Sequence, residues 1–151
     1  MERLLDAIFV TYFSGYSAHQ IECKGVLYPT VEHAYHCQRY ADPKIVEEIR
    51  TAWSPSLAWA VSQKYKAQQL AGFNERKAVV MEDLCRAKLE QHADVRQALL
   101  DSGNSPIIKH WTTGSPADSF WDDGTDGTGR NETGKIWMRL REELKQGTTK
   151  A

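Results

Sequence analysis

Apolar residues recur at intervals of three and four along much of this chain, the spacing that lines up side chains on one face of a helix. Leu57, Ala58, Val61 and Tyr65 follow it, as do Val80, Met81, Leu84 and Ala87, with Lys88 at the same spacing, and later Ile136, Trp137 and Leu140. Two stretches depart from it. Residues 7–13, Ala-Ile-Phe-Val-Thr-Tyr-Phe, are β-branched and aromatic and read as a strand. Residues 20–28 alternate Ile21 and Cys23 with polar neighbours and read as a hairpin turning near Lys24-Gly25. The pattern predicts a mainly α protein, α+β only through a small N-terminal β-element.

Start and stop signals divide the helical part. Thr30 reads as the N-cap of a helix from Val31 to about Tyr40. Asp42-Pro43 opens a second helix carrying Ile45, Val46 and Ile49. Ser54-Pro55 opens a third, with a capping residue followed by proline at the first helical position. Asn74 caps the longest helix. Asp94 caps a shorter one that ends at Gly103, a natural left-handed terminator. Pro106 to Trp111 reads as a short strand. Residues 112–131 form a long loop rich in glycine (Gly114, Gly124, Gly127, Gly129 and, just beyond, Gly134), and loops of this length inside a domain are usually functional or disordered. Aromatic flanks at Phe120-Trp121 and Trp137 favour an ordered, functional loop. A final helix spans about Thr133 to Lys145, and the tail from Gln146 to Ala151 reads as frayed.

Composition narrows the class. With 151 residues, 41% hydrophobic and 26% charged, the chain has the make-up of one folded domain over residues 1–151. That length buries enough surface to fold without a disulfide or a metal. The net charge of −1 lacks the basic surplus of a dedicated duplex-DNA binder. A nucleic-acid role would need a local patch or a single nucleotide as its target. Cys23, Cys37 and Cys85 are an odd set with no CxxC pair, which argues against a secreted disulfide framework; each reads as a small buried hydrophobe. The opening Met-Glu-Arg-Leu-Leu-Asp lacks a signal peptide's apolar run. No stretch approaches the roughly 18 to 20 apolar residues of a membrane span. A soluble, cytoplasmic protein with no membrane contact is expected.

Chemistry gathers in two places. In Thr30-Val-Glu-His-Ala-Tyr-His-Cys-Gln-Arg39, helical spacing sets Glu32, Tyr35, His36 and Arg39 along one polar side, with Val31 and Ala34 on the core side. Glu32 falls in the first turn, where the helix dipole favours a carboxylate that can act as base, nucleophile or cation stabiliser; the plainer alternative is a surface Glu paired with His36 or Arg39. His33, His36 and Cys37 lack a second ligand pair, so no metal site is expected. The second place is the glycine loop. Gly129-Arg-Asn-Glu-Thr-Gly-Lys135 spells GxxxxGK, but Ile136 follows in place of Ser or Thr, which rules out a magnesium-nucleotide loop. Its glycines before a helix still offer backbone N–H groups to a phosphate. Asp122, Asp123 and Asp126 miss the calcium-loop pattern at the third and twelfth positions, Gly124 and Thr133. Trp121 suits stacking on a base or sugar as well as it suits a core.

In order, these segments resemble the NADAR family, also called YbiA-like. The carrying stretches are Tyr28-Pro-Thr-Val-Glu-His-Ala-Tyr-His-Cys-Gln-Arg-Tyr40, Lys77 to Met81, Arg86-Ala-Lys88, Phe120-Trp-Asp-Asp-Gly-Thr-Asp-Gly-Thr-Gly-Arg-Asn-Glu-Thr-Gly-Lys135, and Met138 to Leu144. The resemblance covers roughly residues 9–145 and implies a compact, multihelical YbiA-like single domain with little β-structure. It also implies hydrolysis of the N-glycosidic bond between a phosphorylated ribose and a nitrogenous base. Riboflavin-pathway ribosylamino-pyrimidine phosphates are one family substrate class, and ADP-ribose on guanine in nucleic acid is another. A non-catalytic ADP-ribose-binding module is the alternative outside enzymology. Neither cofactor nor metal is implied.

Residue by residue, the resemblance maps the family carboxylate to Glu32 and its basic residue to Arg39. The closing motif maps to Trp121, Asp126, Gly127, Gly129, Asn131 and Gly134. The implied roles give Glu32 the ribosyl cation, and Asp126 the leaving base or the ribose hydroxyls. Arg39 and the N–H groups of Gly129 to Gly134 take the phosphate, and Trp121 covers the base or sugar face, with Tyr35 and His36 also in contact with substrate. The expected working site thus joins Glu32 to the loop from Trp121 to Gly134. Three departures bear on substrate more than on reaction type. Ser14-Gly15-Tyr16 stands where the family often has Ser-Asn-Phe, Phe73 where it often has tryptophan, and Trp121-Asp-Asp-Gly where it has Trp-Gly.

Overall fold

The computed structural model describes residues 2–110 and 119–147, so Trp111, Gly114 and the end of the tail lie outside the described residues. Over that range the chain is mainly α-helical. In order come α1 (Glu2–Ile8), a π-helical turn (Phe9–Phe13), β1 (Ile21–Cys23), β2 (Val26–Tyr28), α2 (Val31–Cys37), α3 (Pro43–Arg50), α4 (Pro55–Lys64), a 3₁₀ turn (Lys66–Gln68), α5 (Phe73–Gln91), α6 (Ala93–Asp101) and α7 (Glu132–Lys145). None of the helices among the described residues is long and apolar enough to cross a membrane. The chain forms two compact units, residues 15–91 and a second made of the N-terminal segment to Ser14 with the chain from His92 onward.

In the 15–91 unit the predicted hairpin forms. Lys24 and Gly25 both take positive φ, 51° and 80°, the pairing that matches a tight turn to the twist of two strands. Ile21 pairs with Tyr28, Glu22 with Leu27 and Cys23 with Val26. The carboxamide of Gln91, at the end of α5, clamps the hairpin: it accepts from Glu22 N and donates to Glu22 O, both at 2.8 Å. The capping signals hold where serine, threonine and aspartate precede a helix. Thr30 accepts from His33 N, Asp42 from Lys44 N and Ser54 from Leu57 N.

Helix α2 sits at the centre of this unit, against α3, α4 and α5. The sequence predicts a polar side for α2; instead His33, Tyr35 and His36 are as buried as Val31 and Ala34. Three neighbouring helices wrap it, so polar side chains are enclosed and must find partners inside. His33 does so fully, with Nδ1 on Thr30 Oγ1 at 2.8 Å and Nε2 on Ala52 O at 2.9 Å. Cys37 donates to Val46 O, and burial pushes its thiol up to about 12. Helix α5 starts at Phe73, directly after Gly72 at φ 79°, one residue ahead of the predicted cap Asn74.

In the second unit the predicted strand at 7–13 is helical. Phe9 and Phe13, four residues apart, are both buried and meet edge-to-face at 6.3 Å, while Val10 is exposed. A β-branched, aromatic stretch serves a helix when tertiary packing takes one face only. The last turn widens to a π-turn, with Ser14 N donating to Phe9 O. Phe13 packs on Trp137 of α7 at 5.1 Å, and the Trp137 indole donates to Phe13 O. The N-cap position of α6 is His92, so Asp94 lies within the first turn and is not the cap. Gly103 takes positive φ after α6, as predicted. Arg141 donates to Ser102 Oγ and Ser105 O, and Lys145 to Gly103 O, tying α7 to the end of α6. Residues 106–110 form no strand.

Candidate active site

Glu32 lies in the first turn of α2, and its side chain is 14% exposed, enclosed yet reachable. Its Oε1 stands 2.8 Å from Nε2 of His36, one turn on. A carboxylate oxygen only accepts, so this contact assigns the proton to Nε2. The imidazole is 2% exposed, and its Nδ1 has no hydrogen-bond partner among the described residues. His36 therefore holds one Glu32 oxygen and leaves the other to its surroundings.

A cation is built one further turn along. The Arg39 guanidinium stacks over Tyr35 at 5.2 Å and over Phe73 at 5.3 Å, while Tyr35 and Phe73 meet edge-to-face at 5.6 Å. Gln69 accepts from Arg39 Nη1 at 3.0 Å, and the buried Nε has no hydrogen-bond partner among the described residues. Two aromatic faces and a neutral amide thus orient the cation without neutralising it. Burial pushes the Tyr35 phenol up to about 12, against the pull of Arg39, so it remains a neutral hydroxyl. Arg76 reaches the same Phe73 ring at 5.8 Å. On the other side of Glu32, burial and the Glu32 charge raise the Tyr16 phenol, and a hydrogen bond to Ser56 opposes them.

The four predicted α2 residues are thus brought together, and two of the departures from the family pattern, Gly15 and Phe73, fall against them. Gln69 and Arg76 give no sequence signal, because only the fold carries these polar residues to Arg39 and to Phe73 respectively.

The described part of the glycine loop, from Ser119 onward, is a brace in its own unit. Gly129 N donates to Asp123 O, Arg130 N to Ser119 O, Asn131 N to Asp122 O, Glu132 N to Phe120 O and Thr133 N to Trp121 O. The sequence offers these N–H groups to a phosphate; five consecutive amides are instead engaged by carbonyls of the same loop. Asn131, in a left-handed conformation at φ 52°, accepts from Lys109 N and donates to Ile107 O. We expect Asn131→Ala to lower stability by about 1–2 kcal/mol, read by urea denaturation, because two backbone groups lose partners. Gly127 needs its left-handed turn, φ 81°, and has open space around it. Gly129 is different, since a Cβ there would run into the Asp122 and Asp123 backbone.

Asp126 is exposed, and its carboxylate accepts from the amide (3.0 Å) and hydroxyl (2.6 Å) of Thr128. Those bonds hold its carboxyl below the usual carboxylate range. Trp121 is half-buried, edge-to-face with Phe120 at 4.7 Å, and Arg130 covers the Phe120 ring. A separate cavity of about 780 Å³ in this unit is walled by Leu5, Phe9, Tyr12, Ala98 and Ile107 and touches none of the predicted site residues.

Residues 7–145 match the model of the NADAR domain. The chain belongs to the NADAR family. N-glycosidase YbiA of Escherichia coli is 35% identical over 132 residues, covering 87% of this chain and 80% of that protein. An N-glycosidase of Nostoc punctiforme is 32% identical, covering 88% and 85%. A riboflavin biosynthesis protein of Vibrio vulnificus is 31% identical across 89% of this chain, which spans 36% of that longer protein. The NMR structure of E. coli YbiA superposes with a TM-score of 0.78 at 33% identity, covering 92% of this chain and 80% of that one. The NADAR match runs through both compact units, and Glu32, Tyr35 and His36 of α2 and Arg39 in the turn after it all fall within it.

Proposed function

We propose that this NADAR protein is a hydrolase of N-glycosidic bonds, acting on a phosphorylated ribose joined to a nitrogenous base. The observation that carries the reading is Glu32: a mostly enclosed carboxylate with one oxygen fixed by His36, two helical turns from an arginine stacked on two aromatic rings. The names of its relatives, two N-glycosidases and a riboflavin biosynthesis protein, support the same reaction class.

When the C–N bond breaks, its electron pair leaves with the base and positive charge spreads over the anomeric carbon and ring oxygen. A carboxylate beside that carbon stabilises the cation or orients the incoming water. Water adds its oxygen to the carbon, and its proton ends on the departing nitrogen. Arg39 supplies the counter-charge for the sugar phosphate, preset by its aromatic neighbours. The substrate class favoured is the ribosylamino-pyrimidine phosphates.

Arg39→Lys is expected to raise KM about tenfold with kcat less affected, since a lysine neither stacks on Tyr35 and Phe73 nor presents a planar fork to phosphate. Equal loss in kcat would place Arg39 nearer the reacting bond. A second reading, release of ADP-ribose, is favoured by Arg76 at the same Phe73 ring, because two guanidinium groups suit a diphosphate. Incubation with ribosylamino-pyrimidine phosphate, ADP-ribosylated guanine and free ADP-ribose, followed by mass spectrometry, separates these readings. Freed pyrimidine supports the first, freed guanine the second, and stoichiometric binding without release overturns both.

A further inference from the structure

The geometry points to Gly15 as a positioning residue for the Glu32 carboxylate, its missing side chain leaving the space that the second oxygen occupies. This inference rests on the reading of Glu32 as the group that meets the anomeric carbon. Glu32 is held at two points: its N–H donates to Gly15 O at 3.1 Å, and Oε1 accepts from His36 at 2.8 Å. The other oxygen, Oε2, lies where a side chain at position 15 would begin. A Cβ on Gly15 would stand 2.9 Å from Oε2, against 3.7 Å from Glu32 N and from Val31 Cγ1. Non-bonded carbon contacts are comfortable only beyond about 3.5 Å. Gly15 is absent from the positive-φ glycines, so the backbone there does not demand glycine; in this chain, where the family often carries asparagine, Oε2 takes the room that a side chain at 15 would fill.

What would yield to a methyl group follows from the anchoring on each side. The chain just after Gly15 is pinned. Buried Lys88 donates to Ser17 Oγ at 2.6 Å, Ser17 Oγ pairs with His19 Nδ1 at 2.8 Å, and His19 N donates to Ser17 O at 2.8 Å. The end of Glu32 moves by side-chain rotation alone. A methyl at position 15 therefore displaces Oε2 and leaves the fold in place.

Gly15→Ala is expected to lower kcat by about ten- to a hundredfold, the cost of a reacting group misplaced by a fraction of an ångström to an ångström. KM and melting temperature stay near the wild-type values. A crystal structure of Gly15→Ala reads the same point without activity, and should show Oε2 moved and the 15–19 backbone in place. Adding Gly15→Ala to Glu32→Asp, whose shorter side chain withdraws from the methyl, should change kcat by less than about twofold, the non-additivity expected of residues in contact. If Gly15→Ala fails to fold while the double variant folds, the clash with Glu32 is upheld. An unmoved Oε2, an unchanged kcat, equal losses in both backgrounds, or misfolding of both variants overturns the inference. Hydrolysis that survives Glu32→Gln removes the reading of Glu32 itself, whereas loss in Glu32→Gln beside an unaffected Gly15→Ala removes only the role of Gly15.

Discussion

Glu32→Gln loses hydrolysis by about a thousandfold or more in kcat, the scale of removing a group that stabilises transition-state charge, while ligand affinity changes only a few-fold. The substitution is nearly isosteric, and the carboxamide oxygen still accepts from His36 Nε2, so the contact that orients the side chain survives. What disappears is the negative charge. That charge matters most when the sugar becomes a cation, which is why kcat falls and affinity does not. The enclosed setting strengthens the effect, since a side chain 14% exposed is poorly screened by water. Melting temperature should be maintained. Steady-state kinetics with calorimetric binding on the same preparation make the check, and near-normal kcat would refute the role.

Gly134→Ala has the second-largest effect, on stability. A Cβ there would collide with Ile107 O and with the Asn131 side chain, which hydrogen-bond to each other and help join the loop to the 106–110 segment. Both are held, one as backbone and the other by its two hydrogen bonds, so neither yields cheaply. Overpacking against fixed groups costs about 3 kcal/mol, which corresponds to a fall of about 10 °C in melting temperature for a chain of this size. A glycine that served only a bound phosphate would behave otherwise: the variant would melt normally and lose affinity alone. Thermal and urea denaturation in the absence of ligand decide between the two.

The helical architecture was legible because apolar spacing and capping residues act locally. Ser54-Pro55 and Asp42-Pro43 start helices wherever they occur, and Lys24-Gly25 makes a tight turn without help from elsewhere. The stretch 7–13 misled because its composition suits a strand, while Phe13, against which Phe9 packs, is held by Trp137, more than a hundred residues away in sequence. Grouping Glu32, Tyr35, His36 and Arg39 needed only helix periodicity, although the depth of their burial depended on α3, α4 and α5. Phe73 and Gln69 had to be brought to Arg39, and Arg76 to the Phe73 ring, by packing. In the glycine loop, sequence exposed a pattern of glycines and one asparagine but not their use. Phosphate cradles and tight backbone braces both call for small residues before a helix, and only the hydrogen bonds distinguish them.

The central claim is that the carboxylate at position 32 faces the anomeric carbon of a bound ribose. The most direct measurement is a crystal structure of Glu32→Gln with intact ribosylamino-pyrimidine phosphate. The expected result is an anomeric carbon within about 3.5 Å of the carboxamide, a near-attack separation, with the phosphate on Arg39. A sugar bound away from that side chain, with Arg39 empty, would contradict it.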